Sequence, residues 1–130
     1  MIPTETISVI NRYTENHEDK YQSTIIHGVF WFGNVLSSLS AEGYNAANQF
    51  VIRIPAKSAS IPYIPSQQWN SQNHNGWTLQ EGDYIARGEV TTVASPAALR
   101  ESGLQVIAIK GYAENLRSKT GLAHWKVVGA

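Results

Sequence analysis

The chain is written in short runs that alternate apolar and polar residues, and that period of two leaves little room for anything but β-structure. Phe50–Ile54 is the cleanest: Phe50, Ile52 and Ile54 fall on one face, Val51 and Arg53 on the other, and Pro55 stops the run. Thr6–Tyr13 and Lys20–His27 flank a polar turn, Thr14 to Asp19, and read as a hairpin. Gly28 ends the second run. Val29-Phe30-Trp31-Phe32, lying before Gly33, then predicts a fully buried strand or a bend in a barrel wall. Asn34–Ser40 mixes Ser and Leu and is ambiguous, and Ala41 to Asn48, small and polar, reads as a loop. Tyr84–Glu89, Leu104–Tyr112 and Leu122–Val128 are further strands, the last two antiparallel neighbours across the polar loop Ala113–Gly121. Only Ser95–Gly103 carries helical punctuation, with Ser95 as N-cap, Pro96 at the first position and Gly103 at the end. About six strands, hairpin connections, one short helix and long loops predict a mostly-β fold, a small antiparallel β-barrel or curled sandwich.

Size and charge narrow the partners. At 130 residues the chain reads as a single domain over 1–130, without repeats. A chain of that length buries roughly two-thirds of its unfolded surface. Charged residues make up 15%, against about 25% in an ordinary domain. The surface is therefore left to Ser, Thr, Asn, Gln and small apolar groups, which suit contacts with protein. Ten bases balance ten acids, so no bulk field favours nucleic acid or an anionic membrane. The balance is uneven along the chain. Residues 1–50 hold Arg12 and Lys20 against five acids, whereas residues 104–130 hold four bases against Glu114 alone. If the two ends lie on different faces, one copy can dock head-to-tail on the next. The lack of cysteine fits a reducing cytoplasm and excludes thiolate metal sites. No signal-peptide pattern opens the chain, and no apolar run approaches the ~20 residues of a membrane span, so a soluble cytosolic product is expected.

The composition changes after Pro55. Pro55, Pro62 and Pro65 punctuate a stretch rich in Ser, Asn and Gln, with no Asp, Glu, Lys or Arg between Lys57 and Glu81. Loops this long are usually functional or disordered. Ile61, Tyr63, Ile64 and Trp69 are too apolar for simple disorder, so 56–76 reads as an extended arm or covering loop. Trp31 and Trp125 belong to strand patterns and to the core. Trp69 and Trp77 flank the arm and are expected to be exposed, as anchors for another protein. The arm has no interleaved bases, which argues against a nucleic-acid stacking platform. The candidate interaction residues are Tyr63, Ile64, Trp69 and Trp77 of the arm, with Arg117 and Lys119 of the loop Ala113–Gly121.

Catalytic patterns are missing from the sequence. His17, His27, His74 and His124 include no pair at metal-ligand spacing. Asn73-His74-Asn75 has the residues of a His/Asn nuclease motif without its frame or metal ligands. There is no Gly-x-Ser-x-Gly elbow and no phosphate-binding Gly-x-x-x-x-Gly-Lys run. Glu81 and Asp83 beside Gly82 read as turn chemistry. The expectation is a protein that is not an enzyme and carries no cofactor. A hydrolase would need His27 or His124 to meet a carboxylate in space.

A resemblance runs nearly the whole length. Ser8-Val9-Ile10-Asn11-Arg12-Tyr13, Gly28-Val29-Phe30-Trp31-Phe32-Gly33 and Val51-Ile52-Arg53-Ile54-Pro55 come first. Trp77-Thr78-Leu79-Gln80-Glu81-Gly82-Asp83-Tyr84-Ile85-Ala86-Arg87-Gly88 and the terminal His124-Trp125-Lys126-Val127-Val128-Gly129 follow. In this order the segments resemble small virion structural proteins of tailed phages and prophages of Gram-positive bacteria, of the head–tail connector or minor capsid type. The resemblance implies a small β-barrel with long loops that joins a symmetric ring in the particle, without a cofactor. Its implied partners are further copies of itself and other virion proteins such as portal or tail components. Membrane and sequence-specific nucleic acid are not among them. Its implied place is the virion, assembled in the host cytoplasm. On this reading the arm 56–76 and the loop Ala113–Gly121 make the contacts, and the arm is mobile until a partner orders it. The alternative is a β-barrel binding module for a small ligand or glycan, with Tyr63, Trp69 and Trp77 as its stacking surface.

Overall fold

A computed structural model describes residues 4–36, 48–59, 61–69, 76–93, 95–116 and 123–130. Six strands carry the fold: β1 (Glu5–Glu15), β2 (Glu18–Leu36), β3 (Asn48–Pro55), β4 (Tyr84–Arg87), β5 (Val106–Asn115) and β6 (His124–Gly129). Every neighbouring pair is antiparallel, and the order β1-β2-β3-β6-β5-β4 closes on itself. The predicted mostly-β fold is therefore a closed six-stranded barrel. Closure pairs every strand with two neighbours, although β1 and β2 run beyond the barrel as a two-stranded ribbon.

Two predicted strands are one. β2 runs continuously through Gly28, where its register with β1 skips a residue, from Glu5↔Val29 to Thr6↔His27. Gly28 takes φ 78°, a left-handed conformation that glycine adopts without steric cost, and so bulges and bends the strand. The expected bend in a barrel wall is present. The expected full burial is not: Val29 faces the core, Phe30 and Trp31 are half-buried, and Phe32 is exposed. Four apolar residues in a strand must still alternate between faces.

Strand ends also moved. The β1–β2 turn shrinks from the predicted Thr14 to Asp19 to Asn16-His17, both at positive φ, with Glu15 facing Glu18 across the ribbon. β5 continues to Asn115, into the stretch read as loop. β3 starts at Asn48, and the remainder of the loop Ala41 to Asn48 lies outside the described residues. The predicted helix is α2 (Pro96–Arg100), where Ser95 Oγ accepts from Ala98 N–H at 3.2 Å. One further turn of helix, α1 (Ser66–Trp69), and a 3-10 turn at Ala56–Ser58 lie inside the segment read as the arm.

The inward faces build a core around Ile7, Val9, Ile52, Ile85, Ile109 and Val127. A second apolar layer lies outside the barrel, where Leu99 of α2 covers Ile10 of β1 and Ala86 of β4. Ser8 ties this cover down: its hydroxyl donates to Gly88 C=O and accepts from Val90 N–H, each at 2.8 Å. One wall of the barrel is thus clothed by the chain's own 88–105 connection.

Candidate functional site

The residues singled out in the arm are drawn onto the barrel, where Trp77 joins the core and Tyr63 packs against it. Trp69 and Trp77 are both 0% exposed and Ile64 only 8%, which corrects the expectation of exposed anchors. Tyr63 packs its ring 4.9 Å from Trp77 and 5.0 Å from Trp125, and the two indoles lie edge-on at 4.8 Å. Tyr63 and Trp77 form a parallel bridge, with Ile64 N–H to Trp77 C=O at 2.8 Å and Trp77 N–H to Pro62 C=O at 3.1 Å. Gly76 lets these strands approach: a Cβ there would stand 2.1 Å from Pro62 C=O. The indole N–H of Trp77 donates to Ile61 C=O at 3.0 Å, and that of Trp69 to Arg12 C=O at 2.9 Å. In the described part of 56–76, Ile64 and Trp69 are buried. A small barrel has an open end, and large rings that donate one hydrogen bond are suited to close it. Burial lifts the Tyr63 phenol above its ordinary value, helped by Glu114, to whose carboxylate the phenol O–H donates a hydrogen bond at 2.8 Å. Arg117 and Lys119 lie outside the described residues, as does His74.

Sequence reasoning overlooked Asn11. It sits at the inward parity of β1, after Ile7 and Val9, where an amide must find partners or cost stability. Its Nδ2 donates to Thr78 C=O at 2.7 Å and to Asp83 Oδ2 at 3.0 Å, and its Oδ1 accepts from Thr78 N–H at 3.0 Å. Gln80 Nε2 also donates to Asp83 Oδ2, at 2.8 Å. Asp83 closes the expected turn, its N–H donating to Gln80 C=O at 3.2 Å, and its buried carboxylate also ties that turn to β1. The only available signal was a polar residue at an inward position of an otherwise apolar face.

Burial raises the Asp83 carboxyl above the ordinary carboxylate value, and hydrogen bonds from Asn11, Gln80 and the Arg12 backbone offset this only in part. The folded protein therefore holds this proton more tightly than the unfolded chain does. Asp83 withdraws stability as pH rises from the ordinary carboxylate value through its raised folded value, and restores it as pH falls. Urea unfolding of the wild type and Asp83→Asn, compared from about pH 3 to 7, should show the wild type losing ground to the variant as pH rises. A difference that stays flat across that range would mean Asp83 titrates normally.

Opposite the clothed wall, the outer faces of β2, β3 and β6 form an open depression of about 660 Å³. Phe30, Phe32 and Pro55 give it an apolar floor, and Arg53, Lys57 and His124 bring nitrogen groups to it. Arg53 lies over the Phe32 ring at 5.7 Å. Across the sheet Arg53 stands directly opposite Phe30 on one side and Lys126 on the other. No carboxylate among the described residues lies within ion-pair distance of Arg53, Lys57 or Lys126.

His27 does meet a carboxylate, with Nε2 4.0 Å from Glu89 Oε1 and Nδ1 2.9 Å from Thr6 Oγ1. Both the His27 and Glu89 side chains are about two-thirds exposed, at 69% and 63%. Water screens such a pair strongly. His124 Nε2 lies 3.3 Å from the amide nitrogen of Asn115.

These features define a class: a closed antiparallel barrel whose described mouth is plugged by its own chain, with an open, apolar-floored depression on an outer wall. The chain belongs to DUF6751, a family of unknown function, which it matches over residues 2–130. No curated protein and no solved structure matches it.

Proposed function

We propose that this protein is a non-catalytic assembly module, a phage or prophage virion part of the head–tail connector or minor capsid type. It meets its protein partners through the outer wall of β2, β3 and β6, is assembled in the host cytoplasm and ends in the virion. The observation that carries the reading is the contrast between two walls. The β1–β4 wall is covered by Leu99 and the 88–105 connection, while the opposite wall presents Phe32, 38% exposed, beside Arg53. Aromatic residues and arginine are the types enriched at protein interfaces. The glycan alternative is weakened, because Trp69 and Trp77, two of its three stacking residues, are fully buried.

The test places Phe32→Asp in a prophage that carries the gene, and counts copies of the protein per purified particle by mass spectrometry. A central aromatic anchor is worth about 2 kcal/mol or more, so incorporation should fall at least about tenfold, while the purified variant keeps its fold. Wild-type protein missing from the particles, or normal incorporation of the variant, would defeat the proposal.

A further inference from the structure

The β1–β2 ribbon projects from the barrel. β1 pairs with β4 only from Ile7 to Ile10, and β2 meets β3 only from Phe30 onward. Every residue from Thr14 to Lys20 is exposed. The tip carries three acids, Glu15, Glu18 and Asp19, against the single cation Lys20, with His17 in the turn. Glu15 and Glu18 stand directly opposite one another, so two like charges share one face of the ribbon. Such a pair is destabilising by itself, and a two-stranded ribbon is weakly stable without something to pack on.

The outer wall carries the converse. Arg53 and Lys126 are a directly opposed basic pair on β3 and β6, again destabilising by itself. They adjoin the apolar floor of Phe30 and Phe32. One chain cannot bring its own tip to its own groove. Gly28, at the groove, lies ten residues beyond Glu18 on the same extended strand, roughly 30 Å away at the rise of a β-strand.

We infer that the acidic β1–β2 tip of one copy docks on the Arg53–Lys126 wall of the next. This rests on the reading of that wall as a protein-contact surface, and it names the partner as a second copy of this chain. The two patches differ, so the contact is heterologous and generates a closed ring or an open helical row. Charges paired in this way steer association and lose strength with salt.

The chain lacks cysteine, so single thiols can be placed without background. His17→Cys at the tip and Ala123→Cys at the groove, mixed and oxidised, should form a heterodimeric disulfide at least tenfold faster than His17→Cys mixed with Glu101→Cys on the clothed wall. Sedimentation provides the second readout. Glu15→Lys with Glu18→Lys in one chain, and Arg53→Glu with Lys126→Glu in another, should each self-associate at least tenfold more weakly than the wild type. An equimolar mixture of the two should associate again, because every contact then joins opposite charges. Equal cross-linking rates overturn the inference, as does a wild type that stays monomeric at every attainable concentration. Reversed chains that associate like the wild type also overturn it. The cysteine pair decides the matter if a charge-reversed chain fails to fold. If the tip and groove do not cross-link while Phe32→Asp still blocks incorporation into particles, self-docking is wrong and the assembly role stands. If they cross-link while the wild type is absent from particles, the reverse holds.

Discussion

Replacing Trp77 with alanine will cost about 3–5 kcal/mol, about a third or more of the stability of an ordinary domain with about 5–10 kcal/mol to lose. The indole is fully buried among Tyr63, Trp125 and the barrel core, and its N–H is held by Ile61 C=O. Its loss opens a cavity at the mouth and frees the bridge to Tyr63. The urea midpoint of Trp77→Ala, measured beside that of Phe32→Asp, checks this. The exposed Phe32 position should move stability by no more than about 0.5 kcal/mol. If Trp77→Ala costs under about 1 kcal/mol, the ring does not close the barrel, and the plug is a loosely held arm after all.

Asn11→Ala should be nearly as damaging, through polar rather than apolar loss. It removes both partners of the Thr78 backbone and one of the donors to Asp83, all in buried surroundings. Each buried group left without a partner costs about 1–3 kcal/mol, so about 3–5 kcal/mol in all is expected from chemical denaturation. Asn11→Asp separates the electrostatic part. It would set a second carboxylate against Asp83 and against Thr78 C=O, so it should be least stable at neutral pH and recover as the pH falls. An Asn11→Ala midpoint within error of the wild type would show that water replaces the amide, and that the plug does not depend on it.

The two experiments bear on function as well as stability. A plug held by Trp77 and Asn11 leaves the barrel interior filled, so recognition falls to the outer surface. That is why the exposed Phe32, the like-charged pair Arg53–Lys126 and the acidic ribbon tip carry the functional proposals, and the arm's tryptophans do not.

Much of the fold was legible because a strand writes its two faces directly into the chain. The inward set Phe50, Ile52 and Ile54 was readable as it stands, and so were the Ser95 cap and the β5–β6 pairing. The site was less legible. Trp69 and Trp77 sit in a polar, proline-rich stretch whose local composition says surface, and only contacts with distant strands bury them. The role of Asn11 depends on Thr78 and Asp83, 67 and 72 residues away along the chain.

By itself the sequence determined the strand pattern, the hairpin order, the helix cap and the imbalance of charge between the two ends, all of them properties of residues close together in the chain. The tertiary structure decided the rest. It merged two runs into β2 through the bulge at Gly28, closed the six strands into a barrel and turned the arm inward. It also set Arg53 opposite Lys126 on a wall that no described element covers. The physical reason is that burial and cross-strand neighbours depend on which distant segments share a sheet, and a period of two names a face without saying what it meets.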